Sequence, residues 1–203
     1  MDEIEPKQTE SIDTPEIKTR PRQEALAFIW ETVKIVVISL AIIIPVRYFL
    51  VQPFFVKGAS MEQTFTDGNY ILIDEISYRL ENPQRGDVIV FKYPLDTTQF
   101  YIKRVIGLPG ETVEIKNNQV IIYNQDHKNG LILSEKYLEP GQLTLGDAKV
   151  KLEANQYFVM GDNRLRSSDS RRWGTVDRSL ITGKVFFRAW PINEFGGFAK
   201  VNY

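Results

Sequence analysis

Residues 112–123 read TVEIKNNQVIIY, and their reading decides the fold class. Both halves are short and rich in β-branched residues, the composition of strands rather than helices. Asn117-Asn118 joins them, and asparagine tolerates the positive φ that a two-residue hairpin turn demands. The same texture repeats outward from this hairpin. YILID (70–74), DVIVFKY (87–93), FYIKRVIG (100–107), KVKLE (149–153), QYFVMG (156–161) and KVFFRAW (184–190) are short, apolar or aromatic, and separated by Gly, Pro and Asn. No helical repeat or low-complexity run interrupts them. Residues 52–203 therefore read as one mainly antiparallel β domain, its sheet closed or folded over, with a small β insert at 112–155.

Bulk composition narrows the chemistry. The chain has 203 residues and 43% hydrophobic content, enough for one packed domain with an appendage. A formal charge of −1 argues against a general nucleic-acid binder, which usually carries a basic excess. There is no cysteine, so thiol nucleophiles, disulfides and thiolate metal sites are excluded. The one histidine, His127, lies in the polar string NQDHKNG, which reads as a turn. No metal and no cofactor are expected.

Residues 1–24 are polar, with prolines at 6, 15 and 21, and read as a flexible tail. Leu26 to Val51 then turns apolar. Its longest uncharged run, Ile35 to Val46, has only 12 residues, a length that also suits a buried helix or the apolar part of a secretory signal. Glu31 and Lys34 near one end, Arg47 near the other, and Trp30, Tyr48 and Phe49 at interfacial positions fit a membrane anchor over 25–51. No A-x-A-like cleavage site follows. Lys18, Arg20, Arg22 and Lys34 precede the run, against Arg47 and Lys57 after it. The basic residues thus place the N-terminus in the cytoplasm and 52–203 outside.

With cysteine absent and histidine nearly so, a catalytic serine must find its base in lysine. Ser60 follows Gly58 and Ala59, which leaves room for another backbone, although a turn serine would favour the same neighbours. In FYIKRVIG the alternation of a strand puts Tyr101, Lys103 and Val105 on one face and Ile102, Arg104 and Ile106 on the other. Arginine stays protonated, whereas a buried lysine can lose its proton. A lysine of pKa about 10.4 is roughly 0.4% neutral at pH ~8. Lowering it by two units requires about 2.7 kcal/mol of destabilisation of the cation, within the range that burial supplies. The alternative is an ammonium that reaches the sheet edge and does no chemistry. A third stretch, MGDNRLRSSDSRRWG (160–174), packs serines, aspartates and arginines into one loop after an apolar strand. It reads as a solvated loop or as a rigid polar network able to offer a hydroxyl to a lysine amine.

Three stretches, GASMEQTF (58–65), RGDVIVFKYP followed by YIKRVIGLPGE (85–111), and GDNRLRSSDSRRWG (161–174), together resemble the motifs of bacterial type I signal peptidases. The resemblance runs from about Phe54 to Trp190. It implies a membrane-bound serine endopeptidase that removes signal peptides from exported preproteins. It implies Ser60 as nucleophile, Lys103 as general base and Ser167 as the hydroxyl orienting the lysine amine. It also implies Asp169 and Arg171 as a supporting charged pair, with Asp162 and Arg164 opening the same motif. The substrate would bind as an added strand, small residues before the cut, between walls that include Phe55, Val56, Met61, Tyr101 and Ile102. Its other partner would be a lipid bilayer, the plasma membrane or a thylakoid membrane. Gln63 stands where such proteins usually have proline and Phe65 where they have leucine, which raises the alternative of an impaired homologue that binds signal peptides without cutting them. Gly58 supplies no side chain for a second oxyanion donor.

Overall fold

The computed structural model describes residues 21–45, 51–198, 201 and 203. Most of the expected tail and the anchor's far end, with Arg47, Tyr48 and Phe49, lie outside these residues. The chain divides into two units at Ile44/Pro45. The first contains helix α1 (Pro21–Pro45). It begins four residues earlier than the boundary read from the apolar run, because Pro21 suits the first helical turn, where its missing N–H costs nothing. Between Gln23 and Ile44 none of its residues is buried. These 22 residues span roughly 33 Å, against about 30 Å for a bilayer's hydrocarbon core. The helix is long and apolar enough to cross a membrane, and its exposed surface is not that of a core helix.

The second unit is built on antiparallel strands. In chain order they are β1 (Val51–Phe55), β2 (Tyr70–Asp74), β3 (Val88–Tyr93), β4 (Asp96–Gly107), β5 (Thr112–Lys116), β6 (Gln119–Tyr123), β7 (Leu131–Ile132), β8 (Ala148–Lys151), β9 (Gln156–Met160), β10 (Val176–Asp177) and β11 (Ile181–Trp190). Every strand read from sequence is present. Two short helices, α2 (Ser77–Leu80) and α3 (Ser170–Trp173), join them. One sheet has seven strands in the order β1-β2-β11-β3-β4-β9-β10. Pro53 is tolerated in β1 because that strand lies at the edge. β4 starts four residues before the expected Phe100, since Asp96 pairs with Tyr93 across Pro94-Leu95 and an irregularity in register absorbs the polar residues that follow. Although β2, β11 and β3 separate β1 from β4, both line one cleft. The sheet folds over on itself, and this brings distant strands to a common site.

The insert forms a second sheet, ordered β7-β6-β5-β8. Asn117 and Asn118 have φ of 51° and 62°, the mirror-image turn whose twist matches paired strands. Val113, Ile115, Val120 and Ile122 pack with Ile106, Phe158 and Met160 of the larger sheet in one core, so the insert is welded to the strands that carry the site. A second core holds Val56, Met61, Phe65, Ile71 and Val90. Met61 is fully buried there and does not line the cleft, which corrects its placement as a wall. Its unbranched thioether fills space beneath the turn that carries Ser60.

Gln63 has φ of 86°. Proline is locked near −65° and cannot occupy this position as the backbone now runs. Gln63→Pro is therefore expected to lower unfolding free energy by more than about 1 kcal/mol. Gln63→Gly, free of the Cβ penalty, is expected to be neutral or to gain up to about 1 kcal/mol. Urea denaturation of the two variants checks this ordering.

Candidate active site

Ser60 sits in the turn that leaves β1 and packs onto the core through Val56, Met61 and Phe65. The turn is pinned from outside by the 161–174 loop: Asn163 N donates to the Ser60 carbonyl at 3.1 Å. The approach requires Gly161. A Cβ there would stand 2.4 Å from the Ser60 carbonyl oxygen and 2.3 Å from Ser167 Oγ, so only glycine admits both.

Lys103 comes from the middle of β4, opposite Ile89 of β3. Its side chain is buried, 4% exposed. Nζ lies 2.8 Å from Ser60 Oγ and donates to the Ile102 carbonyl at 2.8 Å. The structure thus brings together two residues 43 positions apart. Burial lowers the Lys103 pKa to about 8, against the weaker opposing pull of the Asp169 and Asp162 carboxylates. No carboxylate makes an ion pair with it among the described residues. This is a lysine whose neutral form is accessible near physiological pH, within proton-transfer distance of a hydroxyl.

Around the pair stands a polar frame. Asp169 is fully buried and caps α3; both its oxygens receive Arg171, Nε to Oδ1 and Nη2 to Oδ2 at 2.8 Å each. Burial would raise this carboxyl, but the Arg171 guanidinium, the Ser167 hydroxyl and the Gly161 N–H hold it below the usual carboxylate range. Arg171 Nη2 also donates to the Arg164 carbonyl at 2.7 Å. Asp162 does not pair with its motif neighbour Arg164. It receives Arg104, Nε at 2.8 Å and Nη2 at 2.6 Å, and the Thr64 hydroxyl at 2.5 Å. Arg164 instead clamps Glu135 of the insert with two hydrogen bonds and donates to Thr144 Oγ1 and Tyr137 OH.

Ser167 is buried in the same loop, against Gly161. Its hydroxyl lies on the Asp169 side of the loop, while the hydrogen bonds of Lys103 Nζ go to Ser60 and Ile102. Arg104, Thr64, Asn163 and Glu135 were not singled out from sequence as site residues. Arg104 carried a signal: an arginine between apolar strand neighbours needs a carboxylate once buried, and Asp162 was on hand.

A cleft of about 650 Å³ opens beside Ser60 and Lys103. Phe55, Val56, Tyr101 and Ile102 line it, as do Gln99 and Phe100 from β4 and Arg166 and Ser168 from the 161–174 loop. One wall belongs to the end of β1 and the other to β4.

Known proteins resemble this chain along most of its length. The family described as "Signal peptidase, peptidase S26" matches residues 29–190. A "Probable signal peptidase I-1" of Synechocystis is 37% identical over 177 residues, 83% of this chain and 86% of that protein. The "Signal peptidase I" of Leptolyngbya laminosa is 34% identical over 91% of this chain and 94% of its own length. The "Signal peptidase IB" of Staphylococcus aureus is 33% identical over 79% of this chain and 88% of its own. A solved signal peptidase I from Enterococcus faecalis is 35% identical, with a TM-score of 0.43 over 51% of this chain and 97% of that one. By the family match and the shared length with these relatives, the chain belongs to the signal peptidase I family, peptidase S26, and is a serine endopeptidase.

Proposed function

We propose that this protein is a membrane-anchored signal peptidase in which Ser60 and Lys103 form the catalytic dyad. The observation that carries the reading is the 2.8 Å contact between Ser60 Oγ and a buried lysine whose pKa is lowered to about 8. The neutral amine takes the Ser60 proton as Oγ attacks the scissile carbonyl. The resulting ammonium protonates the leaving amine, and an acyl-enzyme remains. Lys103, neutral again, takes a proton from water, the hydroxide attacks the ester, and the lysine returns its proton to Ser60 Oγ. The Ser60 N–H donates to no acceptor among the described residues, which leaves it for the oxyanion. The paired Asp169–Arg171 and Asp162–Arg104 hold the loop that fixes the Ser60 carbonyl.

Two free strand edges support an extended substrate. Among the described residues, β1 pairs only with β2, and β4 meets β9 only from Arg104 to Gly107. Asp96 to Ile102 therefore has one edge unpaired among the described residues, facing the cleft it shares with β1. A peptide lying there gains main-chain hydrogen bonds, with small side chains before the cut fitting against Phe55, Val56, Tyr101 and Ile102. Helix α1 would hold the enzyme in the plasma membrane as a single span, its N-terminus cytoplasmic and residues 52–203 outside, where exported preproteins emerge.

Incubating the detergent-solubilised protein with a preprotein tests the reading, with the products located by mass. Wild type is expected to make one cut after a small residue and Ser60→Ala none. The same cut made by both proteins would contradict it.

A further inference from the structure

Between β7 and β8, residues 133–147 form no helix or strand. A connection of that length is uncommon in a compact domain and usually serves a function. Here it lies against the 161–174 loop. Gln142 Nε2 donates to the Asp162 carbonyl at 2.9 Å, Arg171 Nη1 to the Leu145 carbonyl at 3.2 Å, and Arg164 Nη1 to Thr144 Oγ1 at 2.7 Å. Glu135 is the charged member of this joint. It accepts Arg164 Nη1 at 2.8 Å and Nη2 at 2.5 Å, with the guanidinium 0% and the carboxylate 10% exposed. Tyr137 OH completes the arrangement, donating to Glu135 Oε1 at 2.7 Å and accepting from Arg164 Nη2 at 2.9 Å.

Arg164 sits where it can govern the turn of Ser60. Its Nε donates to the Gly161 carbonyl at 3.1 Å, and its own carbonyl accepts from Arg171 Nη2. Gly161 is the close neighbour of the Ser60 carbonyl, and Asn163, next to Arg164, donates its N–H to that carbonyl. Attaching the insert requires none of this, because Val113, Ile115, Val120 and Ile122 already pack it onto the larger sheet. A buried ion pair also adds little net stability over an apolar contact of the same volume. The larger consequence of the joint is geometric. We propose that Glu135 is a positioning residue for cleavage: through Arg164 it holds residues 161–164 on the Ser60 carbonyl and so keeps Ser60 Oγ within reach of Lys103 Nζ. The proposal rests on the reading that these two residues do the chemistry.

The double variant Glu135→Gln/Arg164→Met tests it, since the joint is broken and no buried charge is left unpaired. Wild type and variant are compared per folded molecule, with the folded fraction read from urea denaturation. The kcat for preprotein cleavage is expected to fall by about tenfold to a hundredfold, the scale of a small misplacement of reacting groups. KM should change by less than about twofold, as for an interaction that matters in the transition state. The pH midpoint of kcat/KM is expected to move up. Burial is the largest influence on Lys103 and a looser loop admits water, while the opposing pull of Asp169 and Asp162 is weaker. Loss of folded protein would scale the whole profile and leave its midpoint in place. Glu135→Asp, which keeps the charge and shortens the arm by one methylene, is measured beside it and should show a smaller, several-fold fall. Should the double variant not fold, Glu135→Asp carries the test alone. A wild-type kcat per folded molecule with an unmoved midpoint would overturn the proposal. If wild type itself cleaved no preprotein, or cleaved it at a rate indifferent to pH, the Ser60–Lys103 reading would fail first, and the proposal with it.

Discussion

Lys103→Met is expected to lower kcat/KM for preprotein cleavage by about 10⁴-fold or more, the scale on which removing one member of a nucleophile–base unit acts. The same substitution should leave the fold intact, because the lysine is a liability in its site. Below pH 8 both the folded and the unfolded chain hold the Lys103 proton, so the full cost of the buried cation is present. Between the folded value of about 8 and the ordinary 10.5 the unfolded chain binds more protons, so stability rises with pH. Above 10.5 both states are neutral and the cost is gone. The shift corresponds to about 3 kcal/mol. The unfolding free energy of wild type relative to Lys103→Met should therefore climb by about that amount from pH 7 to 11, read by urea denaturation at each pH. A pH-independent difference would show that the lysine is not held near 8. Activity lost together with a relative gain in stability at neutral pH distinguishes a functional residue from a structural one.

Arg104→Met is expected to have the opposite character. Arg104 and Asp162 are 1% and 0% exposed, and removing the guanidinium leaves a buried carboxylate with the Thr64 hydroxyl as its chief remaining partner. Breaking a buried pair from one side costs about 3–5 kcal/mol. That is enough to unfold much of a marginally stable domain. The double variant Arg104→Met/Asp162→Leu removes both charges and should recover most of the loss. It should not recover activity, because Thr64 and the Asn163 contact to Ser60 lose their support. If the single and double variants were equally destabilised, the buried charge would not be the cause.

The strands were legible because their signal is local. The hairpin at 112–123 needs only two short β-rich halves and a pair of asparagines, and its φ values follow from chemistry that any reader of the sequence has. Ser60 and Lys103 became candidates because other nucleophiles and bases are scarce, and the motif resemblance then singled them out. Their 2.8 Å meeting depends on how a seven-stranded sheet folds over, and strand alternation carries no information about that closure. Met61 was misplaced for the same reason: its neighbour Ser60 faces a cleft, but the turn points the thioether into the core. The partners of Asp162 and Arg164 lie 58 and 29 residues away, a separation that adjacency within the motif does not reveal. Gln63 drew attention as a substitution for proline, and only the backbone explains it: its φ of 86° suits no proline.

The most direct test of the Ser60–Lys103 claim is the pH dependence of kcat/KM for a peptide without groups titrating between pH 6 and 10. That quantity reports the free enzyme's essential base. With Lys103 held at about 8, the rate should rise about tenfold per pH unit below the midpoint and level off above it. A flat profile across the range would contradict a lysine base.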